Sequence, residues 1–115
     1  MNNTPNKAEV AKSKAHDLKN LLSYQAGAVV SRTVISKKAG TVTVFSFDRE
    51  QGLSTHSAPF DALVYVIQGE AKITIAGVSR KVKAGEFIIL PANEPHALKA
   101  LKRFKMMLVM IKSQS

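Results

Sequence analysis

The sequence predicts an all-β sandwich or barrel, and three observations carry that expectation. From Gly27 onward the apolar residues recur with the alternation of a strand rather than the spacing of a helix. The apolar runs follow one another at about 8–12 residues, the spacing of sandwiches and barrels. Glycine or proline stands between them, at Gly40, Gly52, Pro59, Gly69, Gly77, Gly85, Pro91 and Pro95, where turns need residues that interrupt a ladder.

The elements follow in order. Residues 1–7 are polar and read as a disordered tail, and residues 8–113 as one domain. Over residues 8–22, Ala8, Ala11, Ala15, Leu18 and Leu22 recur at helical spacing, while Asn20 and Ser23 weaken its end. A short helix and an extended arm both fit. Val29, Val30, Thr33, Val34 and Ile35 form a β-branched run, and Lys37 to Gly40 a turn. Strands are predicted over about 41–48, 62–68, 71–76, 86–90 and 104–112, with a polar loop from Arg49 to Leu53 and an irregular stretch around Pro59. Leu63 to Ile67 is apolar on both faces, so that strand is expected to be covered on both sides. Ala71, Ile73 and Ile75 alternate with Lys72 and Thr74, giving one wet face. Val78 and Val82 alternate in the same way with Ser79, Lys81 and Lys83. Asn93 sits where a left-handed backbone is expected. Beyond it, His96, Leu98 and Ala100 share a face opposite Lys99.

The chain has 115 residues, 45% of them hydrophobic, enough for one core. It has no cysteine, which excludes disulfides and thiolate metal sites and suits a reducing compartment. The polar start lacks the apolar run of a signal peptide, and no stretch approaches the roughly 18 apolar residues of a membrane span. A cytoplasmic protein is therefore expected. The formal net charge is +9. The basic residues are scattered, from Lys12 through Lys37, Arg80 and Lys99 to Lys105, with no aromatic residue interleaved as a base-stacking platform requires. A solvated surface is the expected meaning, rather than a nucleic-acid face. No Ser-His-Asp order, glycine-rich phosphate loop or paired catalytic carboxylates occur, so no catalytic residue is assigned. Met106, Met107 and Met110 read as core, with the lining of a flexible apolar pocket as the alternative, and His16 reads as a surface residue.

The stretch Gly85 to His96, G-E-F-I-I-L-P-A-N-E-P-H, combines an entry turn, a buried strand, a proline stop and a histidine that starts the next strand. It resembles the second motif of the cupin superfamily, G-x5-P-x-G-x2-H-x3-N, through Gly85, Pro91 and His96. Asn93 stands in place of the central glycine and Ala100 in place of the final asparagine. Upstream, T-H-S-A-P-F-D-A-L-V-Y-V-I-Q-G resembles the first motif, H-x-H followed by a glutamate, an apolar strand and glycine. His56 matches the first histidine, and Tyr65, Val66, Ile67 and Gly69 match the ending. Ala58 stands where the second histidine would be, and Ala62 where the glutamate would be.

The resemblance implies a double-stranded β-helix, the RmlC-like jelly-roll barrel, with a ligand site inside it and a short N-terminal helix or arm. His56, His96, Ala58, Ala62, Val64 and Leu98 are expected to line that site. In such proteins three histidines and a glutamate hold one divalent metal. Here only His56 and His96 remain, short of the three protein ligands of a catalytic centre. Asp61 lies one residue from the vacant glutamate position, on the opposite strand parity, and joins the set only if a bulge near Pro59 turns it inward. The cofactor expectation is none, or a weakly bound zinc, iron, manganese or nickel ion. The first functional reading is a small-molecule-binding pocket. The alternatives are a metal-dependent oxygenase or isomerase and a basic nucleic-acid-binding protein. The two apolar faces of the 62–68 strand, together with the resemblance to dimeric small cupins, point to a homodimer with residues 8–35 in its packing.

Overall fold

A computed structural model describes residues 10–112, so the tail expected over residues 1–7 lies outside the described residues. Nine strands follow an extended N-terminal arm: β1 Val29–Lys37, β2 Gly40–Phe47, β3 Gly52–His56, β4 Asp61–Gln68, β5 Glu70–Ile75, β6 Val78–Lys83, β7 Phe87–Leu90, β8 His96–Ala100 and β9 Phe104–Ile111. They form two antiparallel sheets, ordered β1-β2-β9-β4-β7 and β3-β8-β5-β6. This is the jelly-roll expected from the sequence. Each predicted strand lies within a residue of its observed limits.

Two details depart from the expectation. The polar loop ends earlier than expected, because Gly52–His56 is a strand paired along one side with β8. With Leu53 its only apolar residue among serine, threonine and histidine, it carries no alternation to read. Over residues 8–22, the described part is an arm rather than a helix. Its one turn is a 3-10 turn, Leu18–Asn20, begun by Asp17, whose side chain accepts from the Lys19 amide.

The arm is tied to the outer face of the five-stranded sheet by polar contacts. Arg32 Nη1 donates to the Leu21 carbonyl at 2.9 Å, and Ser46 Oγ to the Ser23 carbonyl at 3.0 Å. Lys105 Nζ donates to the Lys19 carbonyl at 2.6 Å and stands 4.9 Å from the centre of the Tyr24 ring. Burying a lysine otherwise costs several kcal/mol, of order 3 or more for an unpaired charge. Here a carbonyl and an aromatic face replace its water.

Between the sheets, alternate residues of each strand face inward. At one end the rings of Phe47 and Phe104 stack 4.3 Å apart, fully buried, with Val66, Ala71 and Ala100 around them. The β4–β5 turn passes so close that only glycine fits at position 69. A Cβ there would run into the Arg103 carbonyl, and its φ is +83°. At the other end of the same strands, where β9 reaches Met110 and β8 begins at His96, the filling is incomplete. Met106 belongs to the core as expected, whereas Met107 lies on the outer face and Met110 lines a cavity.

The β5–β6 hairpin turns on Ala76 and Gly77, with φ values of +49° and +83°, the two left-handed positions of a type I′ turn. Alanine is a poor residue for this region, and asparagine tolerates it better. Ala76→Asn is therefore expected to raise stability by about 0.5–1 kcal/mol, read as a higher urea midpoint at unchanged slope.

Candidate functional site

The open end of the barrel holds a cavity whose wall comes from both sheets. In the five-stranded sheet, Ala62 and Val64 of β4 stand in register with Met110 and Leu108 of β9, and Leu90 of β7 pairs with Ala62. In the four-stranded sheet, Leu53 of β3 faces Leu98 of β8, and His56 faces His96. Ala58 and Phe60 close the rim. All six residues expected from the sequence, His56, His96, Ala58, Ala62, Val64 and Leu98, meet around this one space. Its volume is about 50 Å3.

Strand parity alone would turn His56 outward, since Leu53 already faces the core. A register shift between Leu53 and His56 absorbs the odd residue and brings the imidazole inside. Its ring then lies 4.5 Å from the His96 ring, edge to face at 69°. His96 is buried and His56 stands at the exposed rim. His56 Nδ1 lies 2.9 Å from the Ser54 carbonyl, and His96 Nδ1 lies 3.2 Å from the Glu94 carbonyl. A carbonyl oxygen can only accept, so both Nδ1 atoms carry the proton. In the neutral rings both Nε2 atoms are therefore acceptors.

Burial is the main cause holding the His96 imidazole below the usual histidine range. The Glu94 carbonyl opposes it, and the neighbouring His56 adds to it. His96 is thus neutral near pH 7. Around these two nitrogens the wall is otherwise apolar, with no hydroxyl, thiol or carboxylate among its residues.

Asp61 is turned away. Its side chain is exposed, and Oδ1 accepts from the Ala92 amide at 2.8 Å, which fastens the turn between β7 and β8. In the same turn Asn93 has the expected left-handed backbone, at φ +68°, and donates its amide to the Ala58 carbonyl at 2.7 Å. Both contacts set the distance between the two rims of the cavity. The sequence signalled Asn93 through its backbone preference but gave no sign of the role of Asp61. His16 is exposed, as expected, with Nε2 at 2.8 Å from the Ala11 carbonyl. Phe60 and Leu90 are lining residues that sequence reasoning missed, whereas Met110 lines the cavity as the alternative reading of the methionine cluster has it.

The sequence model of the family described as Cupin domain matches residues 43–112. The chain is similar to the structure of SPY1581, a conserved protein of unknown function from Streptococcus pyogenes, with 36% identity over 92% of this chain and 93% of that one and a TM-score of 0.87. A cupin 2 conserved barrel domain protein from Leptotrichia buccalis is 40% identical over 84% of this chain and 47% of its own, with a TM-score of 0.82. A cupin superfamily protein from Desulfitobacterium hafniense, at 23% identity over 90% of this chain and 95% of its own, shares the fold with a TM-score of 0.85. No functionally curated protein matches the chain.

Proteins of this fold commonly carry a divalent metal, and the donor set here does not fit one as a resident cofactor. Among the described residues no three of histidine, cysteine, aspartate and glutamate come together to hold an ion. Two imidazoles share the cavity wall with two alanines, and the Asp61 carboxylate serves the backbone of a turn. Zinc or iron added to the protein is expected to bind weakly, with far less than one equivalent surviving dialysis. Ala58→His with Ala62→Glu places two donors on the cavity wall. It should raise affinity at least about tenfold, some 1.4 kcal/mol, in a calorimetric titration. A stoichiometric, chelator-resistant metal in the unaltered protein would contradict this.

Proposed function

The chain belongs to the cupin superfamily, and from that premise we propose that it is a binding protein for a small neutral molecule, mostly apolar and carrying one hydrogen-bond donor. The observation that supports this reading most is the polarity of the cavity. Its wall is apolar except for two imidazoles, and both offer an acceptor. A hydroxyl or amide N–H turned toward the Nε2 atoms would be satisfied there, while the rest of the molecule replaced water against Val64, Leu90, Leu98 and Leu108. A carboxylate would meet two lone pairs and lose its hydration, which costs several kcal/mol, of order 4, without a compensating donor.

The cavity is small. At roughly 10–15 Å3 for each water-sized occupant, its volume suits about four heavy atoms. A longer molecule needs Met110 to swing aside, which the flexible thioether side chain allows. The ion pairs of Lys81 and Lys102 with Glu70, and of Lys99 with Glu50, at 3.4–3.8 Å, support a surface role for these lysines rather than a nucleic-acid face. The proposed function has no catalytic step, and in it the two imidazoles act only as hydrogen-bond acceptors.

The test uses 1-butanol and butyrate, which share a chain length and differ in the polar group. At pH 7.5, 1-butanol is expected to shift the amide and methyl resonances of the cavity wall, with butyrate at least about tenfold weaker. Because His96 keeps its proton off to a lower pH than an ordinary histidine, butanol binding should persist below the usual value of about 6.5. It should fall as pH passes through the lowered value, when Nε2 becomes a donor. Butyrate should gain on butanol over the same interval. Ala62→Leu, which fills the cavity, should abolish both. Tighter binding of butyrate at pH 7.5, or binding of butanol undiminished in Ala62→Leu, would overturn the reading.

A further inference from the structure

The N-terminal arm and the free edge of the five-stranded sheet flank a groove of about 650 Å3. Val10 of the arm and Val34 and Ile35 of β1 give it apolar lining, and Lys12, Lys14 and Lys37 stand around it. β1 is an edge strand, paired with β2 alone. In a regular strand consecutive side chains point to opposite faces, so a groove on one face takes only alternate residues. Here every residue from Thr33 to Lys37 lines it. The register passes from Thr33 opposite Thr43 to Ile35 opposite Val42, which leaves Val34 as the extra residue of a bulge and bends the strand. The groove wraps that bent edge.

Charge in the groove is of one sign. Around the four-stranded sheet, Lys81, Lys99 and Lys102 each lie beside Glu70 or Glu50. Among the described residues, Lys12, Lys14 and Lys37 have no carboxylate partner, and no carboxylate lines the groove. The hydrogen bonds that tie the arm to the sheet lie at Lys19, Leu21, Ser23 and Tyr24. Over residues 10–16 the arm has one hydrogen bond among the described residues, between His16 and the Ala11 carbonyl, and it is internal. Apolar contact favours this segment lying along β1, and the like charges of arm and strand oppose it.

We propose that the groove binds a small amphipathic anion, an apolar body carrying a phosphate or carboxylate head. The site shares no residue with the cavity between the sheets and is independent of what that cavity binds. Its volume falls within the roughly 300–1,000 Å3 of small-molecule sites. A purely apolar ligand would cover Val10, Val34 and Ile35 and leave the lysines repelling one another. A bare anion would neutralise the lysines and leave the apolar lining wet. A ligand with both parts satisfies both, each lysine acting on the head as a point charge. A nucleic acid finds no aromatic side chain in the groove to stack on.

The test titrates the unaltered protein at pH 7.5 and follows the backbone amide resonances of residues 10–14 and 33–37. The probes are decyl phosphate below its micelle concentration, decanol and inorganic phosphate. Decyl phosphate is expected to bind there at least about tenfold more tightly than either of the others. Lys14→Ala combined with Lys37→Ala should weaken it at least about tenfold. Lys72→Ala combined with Lys83→Ala removes the same charge from the other sheet and should change it less than about twofold. Decanol or inorganic phosphate binding as tightly as decyl phosphate would overturn the proposal. So would equal weakening in the two double variants, shifts confined to the cavity wall, or displacement of decyl phosphate by duplex DNA.

Discussion

The stacked rings of Phe47 and Phe104 are the constraint on which the rest of the barrel depends. Register partners on the inner face of the five-stranded sheet, they stack with 4.3 Å between ring centres in one buried cluster with Ala71 and Ala100 of the other sheet, and the turn at Gly69 presses against Phe104. Because β2 and β9 are fixed in register from Phe47–Phe104 to Gly40–Ile111, filling one end determines what arrives at the other. Met110, Leu108, Ala62 and Val64 are carried to the far end as a set. There the sequence supplies alanines, and the sheets fail to close over them. The cavity is what remains after one end has been packed and the other given side chains too short to meet.

The strand β4 joins two consequences of that geometry. Its inward residues Ala62 and Val64 form cavity wall, while its outward residues Leu63 and Tyr65 lie on the opposite face. A side chain added on one face is therefore one peptide away from the other. The β7–β8 turn supplies the remaining control. Asp61 holds it through the Ala92 amide, and Asn93 holds it to Ala58, so backbone contacts of the turn span the two rims of the cavity.

Much of this was legible in the sequence, for physical reasons that particular residues show. Alternation and turn residues placed the long strands because a half-buried strand must alternate. The strand Gly52–His56 was missed because an exposed edge strand with one apolar residue has no such pattern. The cavity residues followed from parity together with the resemblance. The inward turn of His56, however, depends on a register shift between Leu53 and His56 that no local composition announces. The lysines looked scattered because sequence distance hides cross-strand neighbours. Lys99, Lys72 and Lys81 lie side by side across β8, β5 and β6, an arrangement of like charges that costs stability unless countered. Glu50 and Glu70 counter two of the three. Nor did the sequence show that the apolar outer face extends from Leu63 of β4 to Val109, Val42, Ile35 and Ile89 on the other four strands, which is a property of register alone.

Recognition of a donor in the cavity depends on a neutral His96, with the proton on Nδ1 and an acceptor at Nε2. Nitrogen-15 spectra of the imidazole rings report this directly, since protonated and bare ring nitrogens differ widely in shift. At pH 7.5, His96 is expected to show a protonated Nδ1 and an unprotonated Nε2, and to keep that form to lower pH than free histidine. A protonated Nε2 on His96 at that pH, in either the opposite tautomer or the imidazolium, would contradict the account at its centre.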